Sequence, residues 1–174
     1  MNTHALRLGI ALSALASIGS AQTYLTEDFA GGIPTNWPVG ISVPSVTSWR
    51  TLLGGDCTNP TDAAGFTGNG CQTGARSFPS SSFLATPNFT LSGSLPYFVE
   101  FDSTFAMDLG FDSVSLSVVD DLGFPSPILD GSTLSNTGVT ERVVAQIPDG
   151  FAGASISLQF YGEATAAGAG QLGW

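Results

Sequence analysis

The stretch DSVSLSVVDDLG, residues 112–123, decides the fold prediction for this chain. Val114, Leu116 and Val118 alternate with serines, and a period of two is the pattern of a β-strand with one buried and one solvated face. The stretch ends in Asp-Asp-Leu-Gly at residues 120–123, which are turn-forming residues. It therefore predicts a strand that stops at a tight turn.

The same alternation recurs along the chain, at residues 24–29, 37–43, 95–107, 142–147 and 154–160. Clusters of Gly, Pro, Asn and Asp separate these segments, including a long irregular loop predicted over residues 54–82 and a further loop around Pro125 and Pro127. Apart from the first residues, no stretch of ten or more shows a helical period with caps. The sequence predicts an all-β sandwich or barrel.

Composition narrows the classes of partner. The 174 residues suit one domain, and the formal net charge is −10 with no Lys and only four Arg. A surface this acidic repels phosphate backbones and anionic membranes, which argues against a nucleic-acid partner. It suits either cation binding or simple solubility, and solubility is the favoured interpretation.

The first residues have the pattern of a secretory signal peptide. Arg7 precedes an apolar run over residues 8–18, and Gly-Ser-Ala at residues 19–21 forms a small-residue cleavage site. The run is too short to span a bilayer as a mature helix, and no later stretch reaches that length. We expect residues 1–21 to be the signal peptide of an exported protein, and residues 22–174 to form a single β-sandwich domain.

Cleavage would remove His4, the only histidine. A mature chain without histidine cannot use a Ser-His-Asp or Cys-His catalytic system, nor a zinc site built on imidazole. Two cysteines remain, Cys57 and Cys71, and in an exported chain such a pair is more often a disulfide than a metal site. We predict that they form a disulfide that fixes the long loop.

Several phrases in order resemble a known secreted module. They are EDF at residues 27–29, LATPNFTLSG at 84–93, LPYFVEFD at 95–102, DSVSLSV at 112–118, and ISLQFYGEA at 156–164 followed by a glycine loop and Gly-Trp. This order resembles the MAM-like modules of bacterial exported proteins, the group that includes cleaved-adhesin and choice-of-anchor domains. The resemblance implies an antiparallel jelly-roll β-sandwich of the galactose-binding-like type.

Two departures from the family pattern stand out. The family's central strand often leads into a D-G-G-x-x-W turn, where this chain has Asp-Asp-Leu-Gly-Phe at residues 120–124. The family also continues after its final Gly-Trp into a closing strand, whereas Trp174 is the last residue here. We therefore expect a sequence truncated at its C-terminal end, without the closing strand.

The resemblance also implies a structural calcium where the first strand meets the last. Glu27 and Asp28 are the corresponding carboxylates in this chain. Calcium takes six to eight oxygen ligands, so these two residues could form only part of a site. The favoured alternative is that both are solvated charges at a strand end.

A second acidic pair, Glu100 and Asp102, raises the question of hydrolysis. Residues i and i+2 of a strand share a face about 6.5–7 Å apart, a separation within the range of glycosidase carboxylates. Alternating acids on a solvated sheet face are common, however, and a catalytic role is the disfavoured interpretation. Asp120 and Asp121 are interpreted as turn residues.

Aromatic residues on the polar side of their strands are the better indication of binding. Phe98 and Tyr161 lie there, where a sugar ring or an apolar group of a partner could stack. The alternative is that they face a second sheet or a covering loop, which is favoured for Phe98.

We expect a non-catalytic secreted or cell-surface module for adhesion or recognition, with glycan or protein as its ligand. The alternatives are a structural spacer in a larger exported protein and, less favoured, a secreted hydrolase.

Overall fold

The computed structural model describes residues 22–43, 48–52, 63–67, 80–93, 95–104, 110, 112–135 and 137–164. Within these residues the chain forms ten β-strands and two single-turn 3-10 helices, Gly131–Thr133 and Asp149–Phe151. The strands are β1 Val39–Val43, β2 Ser48–Leu52, β3 Ala63–Thr67, β4 Ser80–Ala85, β5 Phe89–Thr90, β6 Tyr97–Thr104, β7 Ser113–Val119, β8 Pro125–Asp130, β9 Thr140–Ile147 and β10 Ser155–Ala164. All pairings among them are antiparallel, so the all-β prediction is confirmed.

Strand β10 lies at the centre of the larger sheet. The strand order is β1-β4-β10-β7-β8, and β5 pairs with the start of β10. Strand β7 is the one that the alternating stretch predicts, and it lies between β10 and β8. The register places Tyr161 of β10 opposite Phe83 of β4 and Ser115 of β7, so these three residues share one face of the sheet.

Two ribbons, β6–β9 and β2–β3, are separate from this sheet in their pairing and contact it through Phe160 of β10. The ring of Phe160 on β10 meets Phe101 on β6 and Trp49 on β2 edge to face, with centroids 5.5 Å and 6.1 Å away. The backbone N–H of Trp49 donates to the hydroxyl of buried Ser82 on β4 at 3.4 Å. Because Phe160 points inward to this layer, Tyr161 points outward.

The core lies between the two layers and takes alternate residues from their strands. Leu116 and Val118 of β7 are fully buried within it. The buried apolar cluster consists of Trp37, Trp49, Leu84, Leu91, Tyr97, Val99, Val114, Leu116, Val118, Leu134, Val143, Ile147, Ile156, Leu158 and Ala164. Near the N-terminus, Tyr24 packs against Phe89 and Tyr97, with ring centroids 6.2 Å and 6.1 Å away.

The predicted strand over residues 24–29 is wrong, since the structure describes no strand there. The Phe29 N–H donates to Glu27 Oε1 at 2.7 Å, and the Ala30 N–H donates to Asp28 Oδ1 at 3.0 Å. Phe29 also has φ 55, in the left-handed region. Such local hydrogen bonds from side chains to the backbone stabilise a turn, which competes with pairing in a β-sheet.

Two strands lie where the sequence predicts loops. Strand β3 falls inside the predicted loop of residues 54–82, and all five of its residues pair with β2. Strand β8 contains the two prolines that predict a loop, but it lies at the sheet edge, where a residue without an N–H is tolerated.

One serine of β7 departs from the predicted solvated face. Ser117 is only 4% exposed. It lies between Gln159 of β10 and Pro127 of β8, whose larger side chains flank it on both sides. Ser113, farther along the same face, is exposed as predicted.

A single carboxylate holds the turn between β7 and β8. Asp120 Oδ1 accepts hydrogen bonds from the N–H groups of Leu122 at 3.0 Å and Phe124 at 2.9 Å. The Gly123 N–H donates to the Asp120 carbonyl at 3.0 Å, and Gly123 has φ 85, which glycine adopts without strain. The turn that the sequence predicts is therefore an ordered, side-chain-capped structure.

We expect Asp120→Ala to lower the free energy of unfolding by about 1 kcal/mol, because two turn N–H groups lose their shared acceptor. Asp121→Ala is the matched control, since Asp121 is an exposed acid of the same turn, and should stay within about 0.5 kcal/mol of wild type. Urea unfolding followed by circular dichroism measures both. Equal losses in the two variants would contradict the assigned role of Asp120.

Candidate functional site

The outer face of β10 carries a combined aromatic and polar surface centred on Tyr161. Phe83 and Ser115 lie directly opposite Tyr161 on the neighbouring strands. Gln159 and Glu163 lie two residues away on β10 itself and share its face, because successive residues of a strand alternate. We call these five residues the Tyr161 face. Glu163 is exposed, and the other four are half-buried.

Gly40 of β1 makes room for the ring of Phe83. The two residues are cross-strand partners, and a Cβ atom on Gly40 would overlap the ring carbons Cε1 and Cζ of Phe83. The ring therefore lies over the backbone of the edge strand. It extends the aromatic part of the Tyr161 face towards β1.

We expect Gly40→Ala to displace the Phe83 ring, because the new methyl group would occupy the position of the ring. The ring is the outer end of a half-buried side chain, so the loss in free energy of unfolding should be small, about 1 kcal/mol. The measurement is the chemical shifts of the Phe83 ring protons by NMR. Gly31→Ala is the control, since a Cβ atom there would have nothing within 4 Å. Unchanged Phe83 shifts in Gly40→Ala would contradict this packing.

Polar groups surround the aromatic pair. The Tyr161 hydroxyl donates to Glu163 Oε2 at 3.5 Å, so a carboxylate lies at the edge of the ring. Ser115 adds a hydroxyl and Gln159 adds an amide, and both groups can donate and accept. The Tyr161 face therefore presents apolar ring surface beside hydrogen-bonding groups of several kinds.

Phe83, Tyr161 and Ser115 form a row across neighbouring strands, and Asp130 continues this row at the edge of the sheet. It lies opposite Ser115 on β8, and its Oδ1 accepts the Ser132 N–H at 2.8 Å. Hydrogen bonds from the side chain and then the backbone N–H of Ser132 hold the pKa of Asp130 below its ordinary value. A shallow depression of about 450 Å³ adjoins it, lined by Pro127, Ile128, Leu129, Asp130 and Thr133.

Phe98, the other aromatic candidate, lies on the outer face of the β6–β9 ribbon. It is 56% exposed, so the covered position favoured for it is wrong. Its cross-strand partner is Gln146, which places the 57% exposed Val144 on the diagonal. Because Phe98 and Tyr161 point outward from different layers, the structure does not bring the two candidates into one site.

Glu100 and Asp102 lie on the same outer face as Phe98 and share one arginine. Arg142 Nε donates to Glu100 Oε1 at 2.7 Å, and Arg142 Nη1 donates to Asp102 Oδ1 at 3.0 Å. These hydrogen bonds, first to Glu100 and then to Asp102, raise the pKa of Arg142. The arrangement is an exposed ion-pair cluster across two strands.

The carboxylates of Glu27 and Asp28 each already accept a neighbouring backbone N–H, as described above. Across the described ranges, no group of three or more His, Cys, Asp or Glu side chains could hold a metal ion. The two carboxylates therefore do not supply the six to eight oxygens of a calcium site by themselves. The predicted calcium site stays a prediction.

Several predictions concern residues outside those that the structure describes. Cys57 and Cys71 lie there, as do residues 1–21 with the predicted signal peptide and residues 165–174 with the final Gly-Trp. The disulfide, the leader and the truncated end therefore stay predictions. Of the helices in the described part of the chain, none is long and apolar enough to cross a membrane.

No protein-family model, no curated protein and no solved structure matches this chain. The resemblance to MAM-like modules thus stays a prediction made from the order of its motifs.

Phe83 and Gly40 belong to the candidate site but were not predicted from the sequence. Phe83 sits in the run Ser-Ser-Ser-Phe-Leu-Ala, where the polarity pattern does not show which face the ring takes. Gly40 matters only because β1 pairs with β4, a pairing across about forty residues of chain. The one available signal was a glycine inside an alternating strand, which often marks a close approach.

Proposed function

We propose that this chain is an exported, non-catalytic recognition and adhesion module that binds a glycan on the Tyr161 face. We further propose that its layers form the antiparallel jelly-roll β-sandwich, of galactose-binding-like type, that the MAM-like resemblance implies. The observation that carries the functional proposal is the pair Tyr161 and Phe83, directly opposite each other on the outer face of the sheet.

The chemistry of this surface suits a sugar. Aromatic rings offer apolar faces on which the C–H groups of a pyranose ring can pack. The hydroxyl of Ser115, the amide of Gln159 and the carboxylate of Glu163 can form hydrogen bonds with sugar hydroxyls. The row across the strands is continued by Asp130, so an oligosaccharide has more contacts available than a single sugar.

The proposal is tested by calorimetric titration with a panel of soluble oligosaccharides of neutral, acidic and amine-bearing classes. We expect at least one class to bind, and Tyr161→Ala to weaken it by about 2 kcal/mol, or roughly thirtyfold, because a central aromatic contact is lost. Phe98→Ala is the matched control, an exposed aromatic on the opposite face, and should change the affinity by less than about twofold. Failure of every class to bind, or equal loss in both variants, would overturn the proposal.

A protein ligand at the Phe98 face is the second candidate. The exposed pair Phe98 and Val144 forms an apolar centre, and the ion-pair cluster of Glu100, Asp102 and Arg142 lies beside it. An apolar centre with a charged rim is the usual anatomy of a protein interface. Adhesion to protein-coated surfaces that Phe98→Asp abolishes and Tyr161→Ala preserves would favour this candidate. If neither variant affects any binding, the spacer alternative is favoured.

The non-catalytic part of the proposal is supported by the ion pairs of Glu100 and Asp102. A glycosidase pair needs one carboxyl to deliver a proton while the other acts as a base or nucleophile. Here a single guanidinium contacts both carboxylates, which is the arrangement of a structural ion-pair cluster. A reducing-sugar assay that detects hydrolysis by wild type and none by Glu100→Gln would contradict this.

A further inference from the structure

The charges of the Tyr161 face and its edge are all of one sign. Of the described residues that β1, β4, β10, β7 and β8 place on the outer face, only Glu163 and Asp130 carry a charge, and both are acids. The nearest of them, Glu163, accepts a hydrogen bond from the Tyr161 hydroxyl. A negative group therefore lies at the edge of the ring on which a ligand would stack.

The rest of the chain strengthens this negative field. The formal net charge is −10 and the sequence contains no Lys. A surface of one sign attracts ligands of opposite charge and repels those of like charge.

We infer that the glycan bound by the Tyr161 face carries protonated amino groups, as in an oligomer of glucosamine. The inference rests on the proposed function and names the ligand class of the same site. A sugar ring packed on Tyr161 would bring an ammonium substituent towards the Glu163 carboxylate, which lies two residues along the strand. Charge-assisted hydrogen bonds of this kind are shorter and stronger than neutral ones.

The second acid sets a minimum length for the ligand. Asp130 lies two strands from Tyr161, or roughly 9–10 Å at the usual strand spacing. One sugar ring centred on Tyr161 does not reach it, whereas a further sugar unit extending across the strands does. The amine preference should therefore be greater for an oligomer than for the single sugar.

The test uses three β-1,4-linked tetramers that differ only at carbon 2: cellotetraose with hydroxyl, the N-acetylglucosamine tetramer with acetamide, and the glucosamine tetramer with ammonium. At low salt and about pH 5.5, where the amines of the glucosamine tetramer are protonated, we expect this tetramer to bind about tenfold more tightly than cellotetraose. The advantage should shrink as salt rises, because added ions screen exposed charges. An oligogalacturonate, which carries carboxylates, should bind most weakly.

Two variants test whether the charge of Glu163 causes the preference for the glucosamine tetramer. Glu163→Gln should reduce the preference for the glucosamine tetramer over cellotetraose to about twofold, because glutamine keeps hydrogen-bonding groups at this position but removes the negative charge. Asp121→Asn removes the same charge from the β7–β8 turn and should leave the preference intact. Equal affinity for the three tetramers, tighter binding of oligogalacturonate, or equal effects of the two variants would overturn the inference.

The outcomes separate this inference from the proposed function. Binding of any tetramer that Tyr161→Ala weakens, without preference for the amine, would overturn the amine inference and support the glycan proposal. Absence of binding by every tetramer and by oligogalacturonate, with a protein that unfolds cooperatively, would overturn both.

Discussion

Replacing Leu116 by alanine is expected to lower the free energy of unfolding by about 3–4 kcal/mol, the largest loss predicted for a single substitution here. Leu116 is fully buried at the middle of β7, and its cross-strand neighbours are Phe160 on β10 and Leu129 on β8. Truncation would remove apolar contacts and leave a cavity that the surrounding strands fill only in part.

The measurement is urea or guanidinium unfolding followed by circular dichroism and fluorescence. Ser113→Ala, at the exposed start of the same strand, is the control and should stay within about 0.5 kcal/mol of wild type. A Leu116→Ala variant as stable as Ser113→Ala would contradict the burial of the Leu116 side chain between the two layers.

The second large effect is expected from Thr86→Val, at about 2 kcal/mol. The Thr86 hydroxyl accepts the Leu158 N–H at 3.0 Å and donates to the Pro87 carbonyl at 3.0 Å. Thr86 is 3% exposed, so valine would keep the shape and leave the Leu158 N–H without its acceptor in a buried position. A buried donor without a partner costs its desolvation free energy.

Thr86→Ser is the matched control, since it keeps the hydroxyl and loses only a methyl group. We expect it to cost no more than about 1 kcal/mol, well below the loss for Thr86→Val. The same unfolding experiment measures both variants. If serine cost more than valine, packing rather than the hydrogen bond would account for the role of Thr86.

Much of the fold followed from alternation in the sequence. The stretches at residues 95–107 and 112–123 each contain a strand of the structure, and the stretch at 154–160 covers the first part of β10. In each, one side faces the core and the other faces solvent. The Asp-Asp-Leu-Gly turn was also predicted, since aspartate and glycine have local conformational reasons to end a strand.

The wrong predictions of secondary structure have physical causes in strand pairing and in local hydrogen bonds. Strand β3 is stabilised by pairing with β2. The residues of β3 alone do not predict this pairing. Strand β8 tolerates two prolines only because it lies at an edge. Residues 24–29 alternate, but Glu27 and Asp28 bind nearby backbone N–H groups and form turns.

The candidate site was predicted only in part. Tyr161 was found because it lies on the polar side of a strongly alternating strand. Phe83 and Gly40 were missed because their role depends on β1, β4 and β10 lying side by side, a property of strand order. Phe98 was expected to be covered, and its exposure on the other layer became visible only from the packing of the two ribbons.

Glycan binding on the Tyr161 face is tested most directly by an amide NMR titration of the protein with cellotetraose and with the glucosamine tetramer. We expect the largest changes in chemical shift at Phe83, Ser115, Gln159, Tyr161 and Glu163, with Asp130 joining them for the glucosamine tetramer. The shifts of Phe98 and Val144 on the opposite face should stay unchanged. Shift changes centred on Phe98 and Val144, or none on the Tyr161 face at saturating ligand, would contradict binding at this face.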